Sequence, residues 1–100
     1  MLDFSRIVGF DWDAGNARKS VDKHGVGQAE AEQVFFNEPL VVAVDQAHSQ
    51  AEARYHALGS TDGGRHLHLT FTLRAGETVI RVISARPMSR KERERYAEAG

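Results

Sequence analysis

The stretch from His66 to Leu73 constrains the fold more tightly than any other part of this chain. Polar and apolar residues alternate there without a break: Leu67, Leu69, Phe71 and Leu73 on one side, His66, His68, Thr70 and Thr72 on the other. A period of two is a strand with one face on a core. Thr61-Asp62-Gly63-Gly64 before it and Ala75-Gly76 after it are turn sequences, so neighbouring strands return antiparallel. Thr78 to Ala85 is the returning strand, mostly apolar on both faces and therefore central.

The first half is read from different signals. Ile7 to Trp12 has the length and the aromatic and β-branched content of a strand, and Asp13 can cap the helix behind it. In that helix Ala14, Ala17, Val21 and His24 share one face at the 3.6 period, with Arg18, Lys19, Asp22 and Lys23 on the flanks and far side. This spacing predicts that His24 is a core histidine with satisfied partners. Gly25 suits the left-handed position that closes the helix. A second helix is expected from about Gln28 to Phe36, burying Ala31, Val34 and Phe35 and ended by Asn37-Glu38-Pro39. Leu40 to Val44 and Arg54 to Gly59 are further strands on either side of the polar stretch Asp45-Ala53. Ser89 to Ala97 is a charged final helix. The order β-α-α-β-β-β-β-α, with helices grouped, predicts an α+β domain with an antiparallel sheet packed against helices.

One hundred residues fill a single domain, 1–100. Apolar residues at 41% and charged residues at 27% are globular values and argue against disorder. No apolar run nears the roughly 18 residues of a membrane helix, and Met1 to Phe10, with Asp3 and Arg6, lacks the features of a signal peptide. Zero cysteines exclude disulfides, thiolate metal sites and thiol nucleophiles, and fit a reducing cytoplasm. The net charge of −1 hides an asymmetry. Residues 1–73 hold six Lys/Arg against ten Asp/Glu, whereas residues 74–95 hold seven against three. A neutral domain with one basic segment can attract a polyanion locally while another face suits a different partner.

Several residues have both a structural and a functional reading. Ser89-Arg90-Lys91-Glu92 matches a capping box, so Glu92 is a capping residue first; a carboxylate at a helix start beside a groove can also serve as a base. Arg81 interrupts the buried run Val79–Ile83 and needs either an acidic partner or a phosphate. Arg86 stands where the chain leaves the sheet, a common place for ligand groups. Lys19, Lys23 and His24 cluster at the end of the first helix, where cations also answer the helix dipole. Trp12 is a core anchor or a stacking platform for a base. His66 and His68, with His56 on a neighbouring strand, could offer imidazoles to a metal. No matching carboxylate or HExxH helix accompanies them, so no metal is expected.

Taken together, Phe10-Asp11-Trp12-Asp13, Lys19, Lys23-His24-Gly25-Val26, Val34-Phe35, Arg54-Tyr55 with Gly59, Arg81-Val82-Ile83-Ser84-Ala85-Arg86, Lys91-Glu92-Arg93 and Tyr96 resemble the BrnT toxins of bacterial type II toxin–antitoxin systems. The resemblance covers nearly the whole chain. It implies a RelE-like fold and a metal-independent, cytoplasmic endoribonuclease that blocks translation. It implies as partners RNA and a BrnA-like ribbon-helix-helix antitoxin, with no cofactor, no membrane and no DNA contact by the toxin alone. Lys19, Arg81, Arg86 and Glu92 are the catalytic residues it implies, and Trp12, Lys23, His24, Arg54 and Tyr96 the RNA-binding ones. Two positions depart from the family pattern. Gly27 replaces a serine that would cap the second helix, and Pro87 restricts Arg86 to extended geometry. The alternative is a non-enzymatic module that binds RNA or protein through the same basic surface.

Overall fold

The computed structural model describes residues 3–48 and 52–100. After a 3₁₀ turn at Phe4–Arg6, strand β1 (Gly9–Trp12) leads into helix α1 (Ala14–His24). Helix α2 (Gln28–Gln33) then tightens into a 3₁₀ turn at Val34–Phe36. Strands β2 (Val41–Val44), β3 (Arg54–Ser60), β4 (His66–Arg74) and β5 (Val79–Pro87) precede helix α3 (Arg90–Ala99). Of the expected polar stretch Asp45–Ala53, residues 46–48 form a 3₁₀ turn and residues 49–51 lie outside the described residues.

The sheet order is β1-β5-β4-β3-β2. Strands β2 to β5 pair antiparallel, as their turns require, but β1 joins β5 in parallel, with Phe10 opposite Ile80 and Trp12 opposite Val82. The sheet is therefore mixed, which corrects the antiparallel expectation. Central β5 needs a neighbour on both edges, and the far-off N-terminal strand supplies the second; turn sequences carry no information about such a long-range pairing.

One side of the sheet carries the core. Leu67, Leu69 and Phe71 have no exposed surface and pack with Ala57, Ile80, Val82 and Ala85, and with Val26, Ala31 and Val34 from the helical layer. Phe71 sits among aromatic rings, with Phe35 at 5.2 Å edge-on and Tyr55 stacked at 5.4 Å. Gly59, on this side, lies so close to the 3₁₀ turn that an added methyl would overlap Val34 Cγ1.

Helix α1 packs on β5, but not by the predicted face. Ala14, Val21 and His24 are exposed, and the buried residue is Ser20. The reason is a backbone need. Pairing of β1 with β5 ends at Val82, and Ser20 Oγ accepts the N–H of Ala85 at 3.2 Å beyond that point. A small hydroxyl residue satisfies that N–H where a valine could not. The helix ends at Gly25 in the left-handed conformation (φ 65°). Gly27 gives α2 no side-chain cap, as its lack of a hydroxyl implies.

Candidate functional site

The other side of the sheet is built from the polar half of the same alternation. Register places Arg54, Thr72 and Arg81 in one row across β3, β4 and β5, His56, Thr70 and Ser84 in the next, and Leu58, His68 and Arg86 in a third. Arg81 and Arg86 are five residues apart, and regular alternation would send them to opposite sides. A β-bulge prevents this: Thr70 pairs with Ser84 and Phe71 with Val82, leaving Ile83 as the extra residue. Ile80, Val82 and Ala85 thus share the core side, and both arginines share the other.

At the α3 end of this side, Val41, Ala43, His56, Leu58, His68, Arg86, Glu92 and Arg95 enclose an open cavity of about 350 Å³. Glu92 reaches it from the first turn of α3, where the expected capping box forms: Ser89 Oγ accepts from Glu92 N at 3.3 Å, and Ser89 N donates to Glu92 Oε1 at 2.8 Å. The same carboxylate takes a two-pronged grip from Arg86, Nη1 to Oε1 at 2.8 Å and Nη2 to Oε2 at 2.9 Å. That guanidinium holds the Glu92 pKa down to about 2, and Glu92 in turn raises that of Arg86. Pro87 follows in the strand, and Arg86 stays in register opposite His68.

His68 lies 3.8 Å from Glu92 through Nε2, and its Nδ1 is buried without a hydrogen-bond partner among the described residues. Burial, with Arg86 next in weight, pushes its pKa down to about 4, so the ring is neutral near pH 7. The His56 ring stands 4.8 Å away, its Nδ1 3.2 Å from Thr70 Oγ1 and its Nε2 3.1 Å from Asp45 Oδ2. Sequence reasoning names His56 and His68 as possible metal ligands, allows a nearby histidine as the base in place of Glu92, and misses Asp45 altogether. The usable signal is the polar half of the β4 alternation, read together with the strand opposite it. Among the described residues no metal-binding group of His, Asp and Glu gathers.

The remaining sequence-predicted residues go elsewhere. Arg81 does not line the cavity; Nη1 donates to Asp11 at 3.0 Å, and Nη2 lies 3.6 Å from Asp13, the N-cap of α1. Arg54 lies on the same side of the sheet, opposite Thr72. Lys19, Lys23 and His24 line a separate cleft of about 200 Å³ between α1 and β5. Trp12 packs against the core and donates from Nε1 to Glu32 at 2.8 Å. Tyr96 is buried and anchors α3, its hydroxyl donating to Pro39 O at 2.6 Å. Arg86 and Glu92 are therefore the two expected catalytic residues that meet in one hollow.

Residues 12–92 match the sequence model of a family of ribonuclease toxins from type II toxin–antitoxin systems. The chain belongs to that family, BrnT. Its fold is similar to the 1.1 Å crystal structure of the Brucella abortus ribonuclease toxin BrnT, with a TM-score of 0.63 and 24% identity over 83% of this chain and 99% of that one. No curated protein matches the chain. Among the described residues, no helix is long and apolar enough to cross a membrane.

Proposed function

We propose that this protein is an active, metal-independent endoribonuclease whose reaction centre is the cavity of Arg86, Glu92 and His68, on a RelE-like scaffold. The observation that carries the reading is the Arg86 fork. It opens into a hollow that Arg86, Arg95, His56 and His68 share with Val41, Ala43 and Leu58, and it is occupied by a carboxylate whose two oxygens mimic those of a phosphate.

RNA brings its own nucleophile, the 2′-hydroxyl. Attack forms a bond from O2′ to phosphorus and breaks the bond from phosphorus to the 5′-oxygen, leaving a 2′,3′-cyclic phosphate and a 5′-hydroxyl end. In this scheme the scissile phosphate displaces Glu92 from Arg86, which then stabilises the charge of the five-coordinate state. Glu92, released from the cation that keeps it acidic, accepts the 2′-hydroxyl proton. His68, neutral beforehand, takes that proton from Glu92 through Nε2 and passes it to the departing oxygen, so both residues end as they began. Arg54 and Arg81 lie along the same side of the sheet, with Arg81 held by Asp11 and Asp13. A leaving-group role for Lys19 or His24 does not suit their position in a different cleft.

As a type II toxin it acts on cytoplasmic RNA and is neutralised by a BrnA-like ribbon-helix-helix antitoxin. Incubation of the purified protein with end-labelled RNA should give the cyclic phosphate and 5′-hydroxyl termini at a rate unchanged by EDTA. Arg86→Ala should lower that rate by about 10²–10³-fold while circular dichroism stays unchanged. Full activity in Arg86→Ala discards the assignment, and RNA retained without new ends makes the protein a binding module.

A further inference from the structure

The cations of this chain divide by whether a carboxylate answers them. Arg6, Arg65, Arg74, Arg81, Arg86 and Arg90 each have one within 4 Å. Among the described residues, Arg18, Lys19, Lys23, Lys91, Arg93 and Arg95 have none, and of these Lys19 and Lys23 line one cleft together. They stand one turn apart on α1, a spacing at which like charges repel. With Asn16, Ser20 and His24 they wall the 200 Å³ cleft against Ile83 and Ser84, and among the described residues no acidic one lines it.

Stability does not explain this cluster. Cations in a last helical turn ordinarily answer the exposed carbonyls, but here Arg65 does so from the β-hairpin, donating to His24 O and Gly25 O at 3.0 Å each. Nor is His24 a core residue, since it is exposed. The cleft exists because β1 stops pairing at Val82 and the bulge at Ile83 follows, so α1 rather than a strand flanks β5 there.

We propose that this cleft is a second phosphate subsite, holding an RNA backbone phosphate beside the scission point, and that Lys19 is a binding rather than a catalytic residue. The substrate assignment rests on the ribonuclease reading above. Ser84 in the cleft and Arg86 in the cavity are two residues apart on one strand, about 7 Å, so a single strand of RNA crossing this edge of the sheet meets both.

The test uses the double variant Lys19→Gln/Lys23→Gln in the full chain, with both side chains exposed and the fold checked by circular dichroism. A 2′-O-methyl RNA decamer, which has no nucleophile, is titrated by fluorescence anisotropy over a range of salt. Binding should weaken by about tenfold or more, and the salt slope should fall by about 0.7 for each phosphate no longer neutralised. On a long RNA KM should rise with kcat unchanged, and on a dinucleotide, which has only the scissile phosphate, neither should change. Unaltered binding overturns the subsite, and so does a fall in kcat on the dinucleotide, which returns Lys19 to catalysis. Should the wild type bind the decamer and the double variant release it while no RNA is cut, the subsite stands and the ribonuclease reading falls.

Discussion

The two sides of the sheet are made by the same strands and differ in what covers them. The helix-covered side is filled by Leu67, Leu69, Phe71, Ile80 and Val82, all essentially without exposed surface. The open side holds His56, His68, Thr70, Arg81 and Arg86, and α3 closes one end of it. Apolar packing gains free energy from shape alone and tolerates no gap or excess atom. The open side is held by charged pairs whose partners a bound anion can exchange, so packing fixes one side while the other carries the groups proposed for chemistry.

The sharpest way to break that division is Gly59→Ala. Its methyl would meet Val34 within the packed layer, and the expected cost is about 1–3 kcal/mol, read as a lower urea midpoint. The RNA cleavage rate per folded molecule should stay the same; a parallel fall would show that the two sides are coupled. Acid provides the next largest effect, and it acts on the open side. His68 titrates at about 4 when folded against 6.5 ordinarily, so the unfolded chain takes up the proton first. Its contribution is whole above pH 6.5 and lost as pH falls to 4. Glu92, lowered from 4.5 to about 2, contributes fully above pH 4.5 and loses its part as pH falls through 2. Urea unfolding at pH 7, 5 and 3 should show a stepwise loss of about 1–2 kcal/mol per group, with His68→Asn flattening the upper step and Glu92→Gln the lower. The smallest effect is Ser20→Ala, which leaves the Ala85 N–H without its acceptor and should cost about 1 kcal/mol in the same assay.

Much of this is legible because it is local. The β4 alternation, the turns around it and the capping box at Ser89 each depend on residues a few positions apart, and each forms as the pattern implies. What is not legible depends on partners distant in the chain. The helical period of α1 is weak and points to the wrong face, because a single backbone group of β5 decides the contact through Ser20. Parallel pairing of β1 is invisible to turn chemistry. At the site, Arg86 and Glu92 can be paired because they are close in sequence. Asp45 and His56 cannot, since the alignment of β2 against β3 brings Asp45 to His56 and that of β3 against β4 brings His56 to His68.

The extra residue in β5 sets a condition that no side chain announces. Without a bulge the same five-residue spacing would run as an unbroken zigzag and turn Arg86 inward among the leucines, with Glu92 left facing an empty hollow. Deleting Ile83 itself would leave the two arginines four residues apart and still on one side. The lining of the cavity is thus specified by counting as much as by side-chain type: the number of peptide units between the two arginines, taken with the bulge, decides which side of the sheet Arg86 faces.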